Sequence, residues 1–478
     1  MDRNKVLVFG NFNIVHPGHL RLLRFAKSLT GLLYVAVSSD KIAGEAGHVP
    51  EKLRLEGIKT NSWVDKAFIY EDSIINVIKK LKPHIVVKGK EYESQYNEEA
   101  DVIASYGGRL IFGSGDVSFS SLDLLKKEMS NSSHLSILNP IKFNRRHSIN
   151  KEKVSSIVRK FKSKSVCVIG DLIIDEYITC EALGMSQEDP TLVVKPLSSS
   201  VFVGGAGIVA SHSSGLGATT YFISVVGNDT NASFTKKELK INNVTSYLIK
   251  DESRPTSLKQ RYRSKGKTLL RVSTLSENSI NQDIQNKIYN KLKLLIKNID
   301  LIIFSDFNYG VLPQQLVYKI IKLAKDNNVM VSADSQSSSQ TGDISRFLNS
   351  DLITPTEREA RLSLRDNQIG LVKLASNLLE KTLAQHILLK LGEEGVLVHP
   401  GKINTKNEVT DRIGALNTSP KDVAGAGDSL LVSSSLALLC GSTIWEASYI
   451  GSIAAAIQVG RLGNTPLKIT EILNQIKA

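Results

Sequence analysis

The chain has 478 residues, and 60 Lys and Arg against 47 Asp and Glu give it a formal net charge of +13. Hydrophobic residues make up 41% and charged residues 22%, a mixture that excludes a disordered chain and predicts two or three compact domains. The first apolar run is too short for a signal peptide and polar residues interrupt the longest one, so we expect no membrane span. Three cysteines without a C-x-x-C pair predict neither a disulfide framework nor a metal site, and indicate a cytoplasmic protein.

The first block, residues 1–135, alternates short apolar runs with a segment of helical spacing. Strands are predicted at Lys5–Phe9, Leu33–Val37, Ile85–Val87 and Leu110–Phe112, and a helix at Leu20–Ser28. Strands that alternate with helices form parallel sheets covered on both faces. We therefore predict an α/β, Rossmann-like domain.

A basic linker is predicted over residues 136–149, and a second α/β domain over 150–478. Its predicted helix is Asn150–Lys162, and its predicted strands are Val166–Ile169, Tyr221–Val226, Leu301–Ser305, Val329–Ala333 and Ile387–Leu391. The stretches Leu192–Phe202 and Ser257–Val272 are rich in alternating and β-branched residues. They predict a small antiparallel sheet beside the main one.

A motif with chemical meaning follows the first predicted strand: Gly10-Asn11-Phe12-Asn13-Ile14-Val15-His16-Pro17-Gly18-His19. It opens a helix, whose free N–H groups and dipole favour a phosphate, and Gly18 permits close backbone approach. His16 and His19 lie three residues apart, so both can stabilise charge on a phosphate undergoing in-line displacement. The alternative is a chance meeting of two histidines and a glycine in a turn.

The second motif, Asp422-Val423-Ala424-Gly425-Ala426-Gly427-Asp428-Ser429, precedes a long apolar helix. A turn through Gly425, Ala426 and Gly427 aims several backbone N–H groups at one point, which suits a phosphoryl group in transfer. Asp428 is placed to accept the proton of an attacking hydroxyl. The alternative is a helix cap by Asp428, with glycines serving the turn.

The first motif resembles the glycine-aromatic turn and H-x-G-H of cytidylyltransferase-like nucleotidyltransferases. The resemblance implies catalytic roles for His16, His19 and Lys88 of V-K-G, and nucleotide contacts from Gly10, Asn11, Phe12, Gly18, Arg54, Ser120 and Ser121. Asn11 stands where Thr, Ser or Cys is usual, and Asn13 where Asp is common. These departures leave the nucleotide, ATP or CTP, and the acceptor open.

The second block resembles the ribokinase-like sugar kinases through D-x-x-G-A-G-D, in which Asp428 is the implied base. The resemblance implies nucleotide contacts from Thr356, Glu359, Lys390, Gly392, Gly395, Gly425, Ala426 and Gly427, and sugar contacts from Asp175, Gly204 and Gly205. The R-P-T segment at Arg254 and the basic residues Lys259, Arg261 and Arg271 are similar to the bifunctional heptose 7-phosphate kinase/heptose 1-phosphate adenylyltransferases, although the two domains are in reversed order. Those basic side chains suit a phosphorylated acceptor; the alternative is surface charge.

Several polar positions of the kinase pattern are changed in this chain. The departures are Ile208 and Thr356 in place of Asn, Tyr309 in place of Lys, Ser335-Gln336 in place of Pro-Lys, and Val423-Ala424 in place of a Thr pair. Most of them remove or alter a polar group near the expected substrate or ATP. They predict either a different sugar or a slow kinase.

These observations lead to three hypotheses. The first is a bifunctional, homo-oligomeric enzyme of nucleotide-sugar synthesis that uses ATP and Mg²⁺, with ATP or CTP as nucleotidyl donor and sugar phosphates as partners. The second keeps the transferase and makes the kinase-like domain a degenerate sugar-binding or oligomerisation module. The third is a nucleic-acid-binding protein that uses the basic run Lys142–Lys164; a solvated linker and helix face explains that run as well, so we expect partners to be neither nucleic acid nor membrane.

Overall fold

The computed structural model describes residues 5–13, 15, 17–29, 31–89, 92, 96–113, 137–264, 267–337, 342–401 and 410–477. The chain divides into two compact units, the first formed by Met1–His134 with Arg365–Leu374, and the second by Leu135–Leu364 with Ala375–Ala478. No helix in the described part of the chain is long and apolar enough to cross a membrane.

The first unit contains a five-stranded parallel sheet in the order β3-β2-β1-β4-β5. Its elements are β1 Lys5–Gly10, α1 Pro17–Ser28, β2 Leu32–Ser38, α2 Asp40–Ala43, α3 Glu51–Lys59, β3 Lys66–Tyr70, α4 Ile74–Leu81, β4 Ile85–Gly89, α5 Glu99–Ser105 and β5 Arg109–Gly113. Two apolar layers cover the sheet, one containing Leu23 of α1 and Ile58 of α3, the other Ile78 of α4 and Ile103 of α5. The predicted Rossmann-like arrangement is confirmed, and β3 was not predicted.

The second unit is built on a nine-stranded sheet in the order β10-β9-β6-β13-β14-β15-β16-β17-β18. Its strands are β6 Ser165–Gly170, β9 Thr219–Val226, β10 Val244–Lys250, β13 Leu301–Asp306, β14 Met330–Ser335, β15 Leu352–Ile353, β16 His386–Lys390, β17 Val396–Pro400 and β18 Asp411–Ile413. All pairs from β10 to β16 are parallel, and only the last two, at one edge, are antiparallel. A parallel sheet brings the carboxyl ends of its strands to one edge, where ligands bind.

The helices from residue 141 onward supply the outer layers. They are α6 Ile141–Arg146, α7 Lys151–Arg159, α8 Ala206–Gly215, α9 Thr230–Ile241, α10 Gln282–Leu295, α11 Gln314–Asp326, α12 Glu357–Leu364, α13 Leu371–Thr382, α14 Ala426–Leu439, α15 Ile444–Val459 and α16 Ile469–Lys477. Single 3-10 turns lie at Gly44–Ala46, Lys160–Ser163, Ile296–Asn298, Ile344–Arg346 and Gly392–Glu394. Helices α14 and α15 are buried nearly all round, which explains their continuous apolar sequence.

A separate four-stranded sheet, in the order β12-β11-β7-β8, stands beside the large one. Its strands are β7 Leu172–Met185, β8 Leu192–Gly205, β11 Ser257–Ser264 and β12 Lys267–Thr274. The outer pairs are antiparallel, but β11 and β7 run parallel. The small sheet was predicted correctly, but the prediction that all of its strands are antiparallel was wrong. Strand β11 reaches β7 through a crossover connection and not through a hairpin, so the two strands run parallel.

The basic run Lys142–Lys164 is partly taken up in this unit. Phe143 is buried in the core, and His147 stacks on Trp445 with ring centroids 3.9 Å apart. Arg146 and His147 both bind the Asp411 carboxylate, at 2.7–2.9 Å. These contacts favour the structural interpretation of the run over a nucleic-acid-binding one, since part of the charge is neutralised within the protein.

Candidate active sites

The turn after β1 places the first candidate site at the carboxyl edge of the first sheet. Phe12 adopts a left-handed backbone (φ 51°) and is buried, and its ring lies 4.9 Å from the ring of His19 in α1. Gly10 ends β1, and Gly18 lies in the first turn of α1. His16, Ser120 and Ser121 lie outside the described residues. The described part of the turn therefore connects strand and helix as predicted.

Arg54, predicted to contact the nucleotide, lies beneath the turn with 1% of its surface exposed. It donates to the carbonyls of Asn11 (2.8 Å) and Val49 (2.6 Å), and to the Ser38 hydroxyl (3.2 Å). Its remaining nitrogen binds the Asp40 carboxylate at 2.6 Å, and this hydrogen bond holds the pKa of Asp40 below its usual value. In this arrangement the guanidinium shapes the turn from below.

The two asparagines that depart from the family pattern both have local partners. The Asn11 side-chain oxygen accepts from the Ser38 hydroxyl at 2.5 Å. The Asn13 amide donates to the Ala46 carbonyl at 2.7 Å and accepts from the His48 N–H at 2.9 Å. An Asp at position 13 could accept but not donate, so the amide suits this loop better than a carboxylate does.

Lys88, predicted to be catalytic, lies near the end of β4. Its ammonium binds the buried Glu99 carboxylate and the Asn97 side-chain oxygen, the latter at 2.6 Å. It also lies over the rings of Tyr92 (4.6 Å) and Phe9 (5.6 Å). The cation is thus held in one place by aromatic faces and a carboxylate, as a site for a phosphate or a leaving group requires.

The second candidate site forms where α14 begins. Gly425 has φ 76°, and an added Cβ there would meet the Asn464 oxygen at 2.8 Å, so only glycine fits the turn. Asp428, in the first turn of α14, has 6% of its surface exposed and accepts from the Gln336 amide at 3.1 Å. Burial, and then the neighbouring Asp334 carboxylate, raise the pKa of Asp428 to about 7. A carboxylate with that pKa can accept and release a proton near neutral pH.

The predicted nucleotide residues surround this helix start. Lys390, at the end of β16, binds both oxygens of Asp334 at 2.7 and 2.9 Å, and an added Cβ at Gly427 would lie 3.2 Å from its ammonium. Burial opposes the charge of Lys390, but the Asp334 and Glu359 carboxylates raise its pKa overall. The ammonium therefore stays charged at the turn that resembles a phosphate site.

Thr356 and Glu359 cap α12 reciprocally. The Glu359 carboxylate accepts from the Thr356 N–H at 2.7 Å, and the Thr356 hydroxyl accepts from the Glu359 N–H at 3.2 Å. Thr in place of the expected Asn thus keeps a side-chain oxygen for the helix start. After β16, Gly392 and Gly395 both have positive φ, and a Cβ at Gly395 would meet the Ile413 carbonyl at 2.1 Å.

The sugar-side residues meet on the small sheet. Asp175 of β7 is buried and accepts from Arg261 of β11 at 3.2 Å and from the Asn464 amide at 3.0 Å. An added Cβ at Gly204 would meet the Asp175 carboxylate at 2.2 Å, and one at Gly205 (φ 56°) the Asp171 carbonyl at 2.5 Å. The Gly-Gly turn is therefore required by the close approach of β8 to the aspartate.

The basic residues of β11 and β12 fall into two groups. The Lys259 ammonium lies over the rings of Phe307 and Tyr309, at 5.3 and 5.1 Å, and Arg261 lies over Tyr177 at 5.5 Å. Arg271 is the cross-strand neighbour of Arg261, but every residue of β12 is exposed. Lys259 and Arg261 are therefore held towards the site, and Arg271 lies at its margin.

Some residues of the site were missed by sequence reasoning. Asp171 is buried and accepts from the N–H groups of Phe307, Tyr309 and Val311, at 2.7 to 3.3 Å, and burial and Asp306 raise its pKa to about 6. The G-D-x-x-x-D pattern of the opening strand could have indicated it. Asn464 could not have been found, since it lies 289 residues from its partner Asp175. Ile208, in place of the family's Asn, is buried, and the amide that contacts Asp175 is that of Asn464.

A buried carboxylate on the nucleotide side of the second site could hold a magnesium ion. The Glu359 carboxylate is buried, and it lies close enough to Lys390 to raise the pKa of that ammonium. Carboxylate oxygens are ligands that Mg²⁺ prefers, so Glu359 fits a magnesium ion on the nucleotide side. The described residues contain no preformed group of three metal ligands.

Two family models match the chain: pfkB family carbohydrate kinase over residues 163–470, and cytidylyltransferase-like over residues 7–112. The first is a match to well over half of the chain. Together they identify a nucleotidyltransferase domain and, C-terminal to it in the sequence, a carbohydrate kinase domain.

Among curated proteins, the bifunctional protein HldE of Aliarcobacter butzleri is 33% identical over 65% of this chain and 64% of its own length. That of Helicobacter hepaticus is 31% identical over 66% of this chain and 64% of its own. The chain thus spans slightly less than two thirds of these relatives.

Solved structures match the same fold. Arabidopsis thaliana ribokinase complexed with ribose and ATP aligns with a TM-score of 0.52 and 18% identity, over 66% of this chain and 99% of the ribokinase. Escherichia coli phosphofructokinase-2 in complex with substrates and products aligns with a TM-score of 0.54 and 14% identity, over 66% and 98%. At these identities the likeness establishes the fold.

Proposed function

Because the chain belongs to the pfkB family of carbohydrate kinases, we propose that its second unit transfers the γ-phosphoryl group of ATP to a hydroxyl of a phosphorylated sugar. The observation that carries the proposal is the buried Asp428 beside the Gly425–Gly427 turn, with a pKa raised to about 7. Heptose 7-phosphate is the proposed acceptor, by likeness to the bifunctional HldE proteins. Lys259 and Arg261 are the proposed contacts for its existing phosphate.

In the proposed reaction, Asp428 takes the proton of the acceptor hydroxyl as that oxygen attacks the γ-phosphorus and ADP leaves. The N–H groups of the turn, at Gly425, Ala426 and Gly427, stabilise the charge that develops on the transferred phosphoryl oxygens. Lys390, with Thr356, Glu359, Gly392 and Gly395, lines the nucleotide side. Mg²⁺, held by carboxylates such as Glu359 together with nucleotide oxygens, would supply charge neutralisation for the phosphates.

On the sugar side, Asp175 accepts sugar hydroxyls, and its orientation is set by Arg261 and Asn464. Gly204 and Gly205 let the backbone approach both the aspartate and the sugar. Arg271 is a peripheral contact in this proposal, since β12 is exposed.

We further propose that the first unit transfers a nucleotidyl group to a sugar 1-phosphate and releases pyrophosphate. His16 and His19 would stabilise the pentavalent phosphate, and Lys88, held by Glu99, would neutralise the polyphosphate. Gly10, Asn11, Phe12, Gly18, Ser120 and Ser121 are the proposed nucleotide contacts, and Arg54 positions the turn from below. ATP is the proposed nucleotide and CTP the alternative.

If the acceptor of the kinase is a sugar that already carries phosphate, its product is a bisphosphate. A transferase that uses a sugar 1-phosphate then requires a separate phosphatase between the two steps. The domains, proposed as residues 1–135 and 150–478 joined by 136–149, stand in the reverse of the order usual in the resembling family.

The second candidate, a degenerate kinase-like domain, is supported by the changed polar positions. It is opposed by what those positions do in the structure. Tyr309 holds Lys259, Gln336 binds Asp428, and Thr356 caps α12. These three replacements make defined contacts at the site, so we favour a working kinase.

We also propose a cytoplasmic homo-oligomer, which pairs through the small sheet. Leu183, Met185 and Leu197, in the paired strands β7 and β8, expose 59 to 61% of their surfaces, and exposed apolar patches mark association sites. ATP, sugar phosphates and reduced cysteines all belong to the cytoplasm.

The proposed function is tested by two assays on the purified chain. Pyrophosphate release is measured with ATP or CTP and a panel of sugar 1-phosphates, and ADP formation with ATP and a panel of sugars and sugar phosphates. The His16→Ala variant should lose only the first activity, and the Asp428→Ala variant only the second. ADP formation that no acceptor stimulates would reject the kinase and favour the degenerate domain.

A further inference from the structure

Gln336 follows β14 at the point where the resembling family has a lysine. Its side-chain amide donates to one oxygen of Asp428 at 3.1 Å. A carboxylate that acts as a base must present its other oxygen to the acceptor hydroxyl, and a hydrogen bond to the first oxygen limits its rotation. The contact thus reaches the group on which the proposed phosphoryl transfer depends.

The backbone of Gln336 is held at both of its polar groups. Its N–H donates to the Asp306 carbonyl at 2.8 Å, and its carbonyl accepts from the Asn308 side-chain amide at 3.1 Å. Asn308 itself has a left-handed backbone, with φ 61°. The amide that contacts Asp428 therefore extends from a fixed peptide, and it is tied to the segment 306–310.

That same segment forms one wall of the sugar side. The N–H groups of Phe307 and Tyr309 donate to Asp171, and the two rings lie beneath the Lys259 ammonium. Arg254 donates to the Tyr309 carbonyl at 3.1 Å. A continuous set of contacts thus leads from the proposed acceptor-phosphate residue Lys259 to Gln336.

We propose that Gln336 is the positioning residue of the kinase base, which orients the Asp428 carboxylate and couples it to the sugar-side segment 306–310. The proposal rests on the kinase activity proposed above. Gln336 acts through Asp428 and is assigned no contact with substrate.

Charge gives a reason for an amide in place of a lysine. Asp428 already faces the Asp334 and Asp175 carboxylates, which raise its pKa, and the Lys390 and Lys259 ammonium groups, which lower it; burial is the largest cause of the net rise. A neutral donor orients the carboxylate and favours its ionised form only modestly. A third cation would favour that form strongly and weaken the base.

The sign of the pH effect follows. The base must be ionised to act, so kcat rises as pH increases through its pKa. Loss of the donor in Gln336→Leu removes a contact that stabilises the ionised form of Asp428. We therefore expect the acid limb of the kcat profile to move to higher pH by roughly half a pH unit. Gln336→Lys should move the acid limb to lower pH, because the added cation stabilises the ionised carboxylate. We also expect Gln336→Leu to lower the plateau kcat about tenfold, with KM values for ATP and acceptor within about twofold of the original.

Gln285→Leu is the matched control. Gln285, in α10, makes a single amide donation to the Ile280 carbonyl at 3.0 Å and has no part in the proposed site. It should leave kcat, KM and the pH profile unchanged. Opposite shifts of the acid limb in the two Gln336 variants support the proposal, since a merely structural role would lower activity without moving the limb. An unshifted limb in both variants overturns it.

A second measurement does not depend on turnover. The protein is labelled with ¹³C-carboxyl aspartate, and the Asp428 resonance is assigned by its loss in Asp428→Asn. Titration should give a higher pKa for Asp428 in Gln336→Leu than in the original chain; equal values overturn the proposal. If no acceptor stimulates ADP formation, the proposed function fails, and this titration still decides whether Gln336 acts on Asp428.

Discussion

The two candidate sites treat charge in opposite ways. In the first unit the two cations of the candidate site are held in fixed positions, because Arg54 and Lys88 bind the carboxylates of Asp40 and Glu99. In the second unit carboxylates are gathered and buried, and Asp428 has a pKa raised to about 7. A transferase that displaces pyrophosphate needs fixed positive charge, whereas a kinase needs a base that can take a proton. The contrast indicates which site depends on geometry and which on protonation.

The largest expected effect comes from removing the proton acceptor. Asp428→Asn should lower the rate of ADP formation by about 10³-fold, because general-base catalysis contributes about 10²–10⁴. Pyrophosphate release should not change. The control is Asp326→Asn, which alters an exposed aspartate at the end of α11. Retention of kinase activity in Asp428→Asn would show that the second site does not depend on Asp428 as a proton acceptor.

Arg54 tests the geometric side. Arg54→Met leaves the Asn11 and Val49 carbonyls without their donor, and we expect the first unit to lose about 3 kcal/mol of unfolding free energy. Most of the loss should come from the buried hydrogen bonds, since the Asp40 partner is exposed. Calorimetry should show a lower transition for this unit and an unchanged one for the other. The exposed Arg24→Met is the control, and equal effects of the two variants would contradict the prediction.

The raised pKa of Asp428 also has a consequence for stability. The folded chain keeps a proton on Asp428 up to pH about 7, whereas the unfolded chain releases it near the usual 3.8, so this group destabilises the fold as pH rises through that window. Asp428→Asn should therefore be more stable than the original chain by about 4 kcal/mol at pH 8, and nearly equal to it at pH 4. Denaturant unfolding at both pH values measures the difference. An equal difference in unfolding free energy at pH 4 and pH 8 would show that titration of the buried Asp428 carboxylate does not cause it.

The smallest expected effects concern the basic residues proposed to bind the phosphate of the acceptor. Lys259→Met should raise KM for a phosphorylated acceptor about tenfold, and Arg271→Met about twofold, because Lys259 is held by two rings and β12 is exposed. Neither variant should change KM for an acceptor without phosphate. A larger effect from Arg271 would place the acceptor phosphate at β12.

Prediction from sequence succeeded where the signal was local. The buried strands β1, β6 and β13 were recognised because they are short and nearly all apolar, as strands covered on both faces are. Strands β17 and β18 were not predicted; they are five and three residues long, and their place in the sheet depends on antiparallel pairing with β16 and with each other. The fold class and both turns were predictable; the partners of the site residues were not.

Arg54 shows the limit most clearly. Its place after Pro50, which resembles that of the family's arginine, suggested a nucleotide contact, and that contact stays a prediction. What the sequence did not indicate is the burial of 99% of its surface and its four hydrogen bonds within its own unit. Burial depends on the elements packed around a residue, which sequence spacing does not specify.

The sequence by itself determined two α/β units and two phosphate-type turns, because each turn lies within about ten residues of chain and follows from local strand, glycine and helix signals. Only the tertiary structure decided how the kinase site is completed. Gln336 lies 92 residues from Asp428, and Asn464 lies 289 residues from Asp175. Such pairs meet because packing brings the start of helix α14 to the end of strand β14, and the segment after α15 to strand β7.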